Sequence, residues 1–232
     1  MARTTALIWY WSFVILPFTA IITFILTLVV CRQVLQNTWS EKDLPQISQL
    51  GIGSAYPYFV FGFVFLCLQM LLILIGRLQY LFQSQSVIHR AILCVIHAVA
   101  LISAVFLLIM AIVSLDHDPY LHVSAAFGMF GFISFYCLLH TIVVFYLYAR
   151  RSVVPQHSNI IWPLWFLISG ILLTIFASIW IFRGSTVPQY IAAAMPFLYI
   201  LGFVPQFWLQ AKTKQQDNVS FTQVRYLDEM NV

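Results

Sequence analysis

Six stretches of this chain contain no Asp, Glu, Lys or Arg: Ala6–Cys31, Pro57–Gly76, Ala91–Leu115, His122–Ala149, Ile160–Phe182 and Val187–Leu209. Each is long enough for one helix to cross the hydrocarbon layer of a bilayer, which takes about 20 apolar residues. Segments such as Phe59–Ile75 and Leu101–Val113 are apolar on every face, unlike the alternating strands of about 10 residues that build a transmembrane barrel. In hydrocarbon every backbone amide must be paired inside its own segment or in a closed sheet, and these lengths suit the helix. The expected fold is all-α, a polytopic bundle of six transmembrane helices.

Composition removes the soluble alternative. The 232 residues are 62% hydrophobic and 8% charged, whereas soluble domains carry roughly 25% charged residues. The connections Arg32–Tyr56, Arg77–Arg90, Asp116–Leu121, Arg150–Asn159 and Arg183–Thr186 all fall below the ~40 residues at which an unaided domain becomes plausible. Residues 1–209 therefore read as one membrane unit with spans at about 6–31, 57–76, 91–115, 122–149, 160–182 and 187–209, followed by a polar tail, 210–232, expected to be disordered and cytosolic. The first stretch exceeds the 7–15 apolar residues of a cleavable signal and reads as a retained signal-anchor. Trp9, Tyr10, Trp11, Trp162, Trp165 and Trp208 lie near span ends, where amphipathic rings anchor at the interface.

The basic residues set an expected orientation. With a cytosolic N-terminus, Arg3, Arg77, Arg90, Arg150, Arg151, Lys212, Lys214 and Arg225 fall on the cytosolic side, against Arg32, Lys42 and Arg183 on the other. That asymmetry follows the positive-inside rule and puts both termini in the cytosol. The sequon at Asn218 then faces away from the glycosylation machinery. The net charge of +4 is an orientation signal and implies no nucleic-acid partner. The four cysteines, Cys31, Cys67, Cys94 and Cys137, fall in or at the ends of spans without paired spacing, so neither a disulfide framework nor a metal site is expected.

Chemistry is sparse. Charged residues inside a membrane usually mark ion or proton pathways, and the six stretches hold none, which weighs against a transporter, pump or voltage sensor. The one catalytic constellation is Asp116, His117, Asp118 and His122, in the short loop before the fourth span. Carboxylates and imidazoles at this density suit acid–base or metal chemistry. The same loop needs helix-capping residues, and Asp118-Pro119 is a good helix start; capping is the favoured reading. His97 and His140 read as neutral rings bonded across helices. Ser124, Gly128 and Gly131 make a small-residue stripe for close helix packing, and kinks at Pro196 and Pro205 should free backbone carbonyls in the last span.

The loop Leu44-Pro45-Gln46-Ile47-Ser48-Gln49-Leu50-Gly51, followed by an aromatic-rich second span, resembles the Pro-x-Ile-Ser loop of the DRAM family, the damage-regulated autophagy modulators. This six-span superfamily also takes in the GPI-anchor lipid-remodelling factor and the N-terminal half of the yeast CWH protein. The likeness extends to cytosolic termini, a His before a Gly/Ala-rich fourth span (His122 to Gly131) and a short basic tail. It implies a lipid- or partner-binding loop at Pro45, Ile47, Ser48 and Gly51. Two positions depart from the family's pattern. Gln189-Tyr190 stands where many members have Glu-Trp, and Gln206 stands where they carry an acidic residue between aromatics.

Together these features predict a non-catalytic multi-pass membrane protein that modulates lipid handling or trafficking, including autophagy, by binding lipid or a membrane-protein partner, without a cofactor. The alternative is a GPI-anchor lipid-remodelling factor, enzymatic or enzyme-supporting; a small channel or transporter ranks third. The expected location is an endomembrane (Golgi, ER or lysosome) or the plasma membrane. Ile47, Leu50 and Ile52, apolar in a polar loop, further predict that Leu44–Gly53 folds back on the bundle or the bilayer surface.

Overall fold

The computed structural model describes residues 2–35 and 44–216. Lys42, Arg225 and the Asn218 sequon, which enter the orientation argument, lie outside the described residues, as does the tail beyond 216. Six α-helices follow one another: α1 (Ala2–Val34), α2 (Tyr56–Ser84), α3 (Arg90–Ile112), α4 (Pro119–Ala149), α5 (Ile161–Arg183) and α6 (Thr186–Leu201). Beyond α6 the backbone turns at Gly202 and Phe203, and helix resumes over 204–216, so residues 210–216 of the tail expected to be disordered are helical instead. Six spans are thus long and apolar enough to cross a membrane. This is an all-α, multi-pass architecture.

Each helix packs against the next, and α6 returns to α1, closing a ring. The α1–α2, α3–α4 and α5–α6 connections share one end of the bundle, called here the loop end; the start of α1 and the α2–α3 and α4–α5 connections share the other. Large apolar side chains remain on the outside, among them Phe61 at 74% and Val95 at 66% exposure. A fully solvated surface of this kind is rare in soluble monomers; hydrocarbon is its natural solvent.

Close contacts fall at glycines. A methyl group on Gly62 would overlap the Thr27 side chain, and one on Gly76 would lie 2.6 Å from the Phe13 ring. These two positions let α1 lie directly on α2. In the expected stripe on α4, Gly128 receives the Phe106 ring, but a methyl group on Gly131 would meet nothing within 4 Å and Ser124 is exposed. The stripe therefore narrows to Gly128. Gly184 ends α5 with φ 63°, a left-handed turn in which its N–H reaches the Trp180 carbonyl at 2.8 Å; glycine takes this conformation without a Cβ clash.

Two sequence expectations change. Arg77, expected at the start of a connection, lies inside α2, which runs on to Ser84. The apolar register continues through Leu78, Tyr80 and Leu81, with Tyr80 and Leu81 buried, so the helix does not stop at the first charge. A charged residue therefore does sit within a span. Pro196 is accommodated inside α6, while the break falls at Gly202–Phe203, ahead of Pro205. There the Gly202 N–H bonds to Tyr199 O at 3.1 Å rather than to the carbonyl four residues back. The freed Leu198 carbonyl accepts from the Trp165 indole at 2.9 Å, so Trp165 ties α5 to α6 as well as lying near a span end.

Candidate functional site

The segment between α1 and α2 is built onto the loop end. Ile47–Gly51 forms a 3₁₀ turn with Ile47, Leu50 and Gly51 buried. The Gln46 N–H is capped by Gln49 Oε1 at 2.8 Å, and the Gln46 side chain donates to the Gly184 carbonyl at 3.0 Å. The Ile47 N–H donates to Gln189 Oε1 at 2.9 Å, and the Tyr190 hydroxyl donates to the Pro45 carbonyl at 3.0 Å. Both residues of the Gln189-Tyr190 departure therefore pin this loop to α6. Gln189 needs only an acceptor oxygen for that bond, which an amide supplies without a charge.

Beneath the loop lies a cavity of about 160 Å³ to which all six helices contribute. Its walls are apolar: Phe24, Phe63, Met70, Leu107, Met110 and Phe130 among them. Small residues, Ala100, Ala104, Ala126 and Ala193, leave the space that larger side chains would fill. Polar groups gather toward the loop end, where Gln46, Ser48, Gln189 and His122 line it. Ser103 also lines it, but its hydroxyl is used on the Met129 carbonyl at 2.9 Å. From His122 to Ile133 the α4 wall advances about 16 Å at 1.5 Å per residue, close to half of a ~30 Å hydrocarbon layer.

The acidic and histidine cluster does not converge. Asp118 Oδ1 accepts from the Leu121 N–H at 2.9 Å, an N-cap for α4. Asp116 and His117 are exposed on the turn. His122 points inward: it is 2% exposed, its Nδ1 lies 2.6 Å from the Val113 carbonyl, and its Nε2 is buried without a hydrogen-bond partner. Of the four candidates, His122 alone lines the cavity. Among the described residues no group of His, Cys, Asp and Glu could hold a metal ion.

The other half of the bundle holds a network that the sequence reading missed. Arg77 is fully buried, donating from Nε to His140 Nε2 at 2.9 Å and from Nη1 to Gln206 Oε1. Its guanidinium carbon sits 4.8 Å from the Phe203 ring centroid, 5.4 Å from Tyr80 and 5.8 Å from Phe166. Since Arg77 donates, His140 Nε2 is a bare acceptor and Nδ1 carries the proton. That proton faces the Tyr199 hydroxyl at 2.7 Å, which in turn lies 3.1 Å from the Cys137 carbonyl. The order Arg77, His140, Tyr199, Cys137 links α2, α4 and α6. Gln206, the second departure, is the partner of the buried arginine. Among the described residues the only carboxylates are Asp116 and Asp118, at the opposite end.

His157, between α4 and α5, closes this half. It is buried, 3.1 Å from Ser84 Oγ and edge-on to Tyr80. Burial, with the Arg77 charge as a lesser contribution, pushes its pKa down to about 4.

A closed ring of six apolar helices, with an ordered cap and an interior cavity, defines an integral multi-pass membrane protein. Residues 6–210 match the model of the Frag1/DRAM/Sfk1/Cwh43P N-terminal domain, and the chain belongs to that family. No significant match is found among curated proteins or solved structures.

Proposed function

We propose that this protein binds a membrane lipid in the cavity under the Pro45–Gly51 loop and acts, without catalysis, in lipid handling or membrane trafficking, autophagy included. The single observation that carries the reading is the cavity's polarity gradient: apolar walls about one leaflet deep, with Gln46, Ser48, Gln189 and His122 toward the loop end. That profile matches a lipid with its chain inward and its polar group at the interface. In the proposed orientation both termini are cytosolic and the loop end faces the lumen or cell exterior, as the basic residues favour.

The test is mass spectrometry of lipid retained by the full-length protein after purification in mild detergent. Retained lipid should be lost from Ala104→Phe or Ala126→Phe, which fill the cavity, while thermal stability is kept. Equal lipid retention by the native and filled proteins would remove the reading.

A second reading, lipid remodelling of GPI anchors, draws on His122 alone, an oriented ring with a free nitrogen beside the cavity. The turn's carboxylates do not line the cavity and make no hydrogen bond to the His122 ring, which favours binding over catalysis. Changed GPI lipid or changed surface levels of GPI-anchored proteins in a knockout would promote this reading.

A further inference from the structure

We infer that the cavity selects a lipid alcohol, an apolar lipid whose polar end is a free hydroxyl that donates to His122 Nε2. The inference rests on the lipid-binding reading above and deepens it. A carbonyl oxygen can only accept a hydrogen bond, so the 2.6 Å contact with the Val113 carbonyl fixes the His122 proton on Nδ1. The Met110 carbonyl, also beside the ring, is likewise an acceptor and has no proton to offer. In the neutral ring Nε2 is then a lone pair.

That lone pair is buried in the cavity wall without a partner, and an unmade buried hydrogen bond costs free energy that a donor would recover. An ester carbonyl or phosphodiester oxygen brings only lone pairs and would repel Nε2. A hydroxyl brings the missing proton. Of the other polar residues near the loop end, the Ser48 hydroxyl can pair with a donor or an acceptor alike and so sets no preference, and Gln46 and Gln189 do not take over this role. Gln46 is held by the Gly184 carbonyl, and Gln189 Oε1 already accepts from Ile47. The ligand class is therefore an alcohol with an apolar body, either a diacylglycerol-type acyl lipid or a sterol.

The experiment measures binding of two matched pairs to the full-length protein in nanodiscs: 1,2-dioleoylglycerol against its 3-O-methyl ether, and cholesterol against its methyl ether. Methylation removes the donor and keeps the body. In at least one pair the alcohol should bind roughly tenfold or more tightly than its ether, and the pair that discriminates identifies the source. His122→Leu should erase the difference, and His122→Gln, which restores an acceptor oxygen, should keep part of it. Equal binding of alcohol and ether would overturn the inference and leave lipid binding intact. Absence of binding by all four probes, together with no lipid retained on purification, would overturn both.

Discussion

Arg77 on α2 donates from Nε to His140 Nε2 on α4 at 2.9 Å, and this contact decides where the His140 proton resides. The second donor, Nη1, goes to Gln206. Three helical segments are thereby tied to one guanidinium whose charge is met by aromatic faces and neutral acceptors. Arginine suits the task because its planar fork reaches two acceptors at once and its charge is spread enough to lie against rings.

Gln206→Leu should therefore destabilise the bundle by about 2–3 kcal/mol, because a buried charged donor loses its acceptor. Gln206→Glu restores the acceptor and adds a counter-charge, so it should be at least as stable as the native protein. Arg77→Lys has one point charge in place of a fork and should lose either the His140 or the Gln206 contact. Thermal unfolding of the purified variants ranks them; a Gln206→Glu protein less stable than the Gln206→Leu protein would contradict this account of the network.

Acid should loosen the same half of the molecule. The His157 pKa is about 4 when folded and about 6.5 when unfolded, so the unfolded chain binds the proton more readily. Stability from the neutral ring is complete above about pH 6.5 and is lost as pH falls toward 4, by at most about 3 kcal/mol. Unfolding midpoints measured from pH 7.5 to 4 should show this slope, and His157→Gln should make it shallower.

Much of the fold could be read from the sequence because hydrocarbon imposes a simple rule: apolar runs of sufficient length become helices. The same rule hid Arg77. A charge at the end of an apolar run looks like a span boundary, and only the partners on α4 and in the last span reveal that it lies inside. His97 and His140 were both expected to bond across helices; the bonds of His140 to Arg77 and Tyr199 do so, whereas His97 Nδ1 pairs with the Leu93 carbonyl of its own helix. Gln189 and Gln206 stood out as departures, but their partners, the Ile47 N–H and the Arg77 side chain, are 142 and 129 residues away. Such pairing is a property of the ring's closure. The cavity was equally out of reach, since its walls come from every helix.

The loop should come away from α6 when its pins are removed. Gln189→Leu leaves the Ile47 N–H without an acceptor, and Tyr190→Phe removes the donor to Pro45. Each should cost about 1–3 kcal/mol, and the pair together should act on one element. Amide exchange across Ile47–Gly51 is expected to accelerate in both variants while exchange in the middle of α4 stays unchanged. Unaltered exchange in the double variant would mean that burial of Ile47 and Leu50 holds the loop by itself.

Gly62→Ala should separate α1 from α2. The added methyl would overlap both Thr27 Oγ1 and Thr27 Cγ2, a clash that must be relieved by helix movement at about 1–3 kcal/mol. Thr27→Ala removes both atoms but leaves Cβ, which would still be 2.8 Å away. The double variant should therefore recover part of the loss. A double-mutant cycle with no coupling would show that the two helices do not meet here.

The turn before α4 separates capping from catalysis. Asp118 holds the first turn through the Leu121 N–H, so Asp118→Ala should cost about 0.5–2 kcal/mol, and Asp118→Asn or Asp118→Ser, which keep a capping oxygen, should cost less. Asp116→Asn, on an exposed residue, should change neither stability nor lipid retention. A carboxylate acting with His122 as an acid–base pair would give a different pattern, because losing such a group typically costs ~10²–10⁴ in rate, far beyond any folding effect of a turn substitution. The measurement is cellular GPI-lipid composition in a knockout rescued with each variant at matched expression. The expected result is that cells carrying Asp116→Asn or Asp118→Asn have the same GPI-lipid composition as cells carrying the native protein. An all-or-none loss shared by Asp116→Asn and His122→Ala would show that the turn and the cavity wall work together as a catalytic site, and binding alone would no longer account for His122.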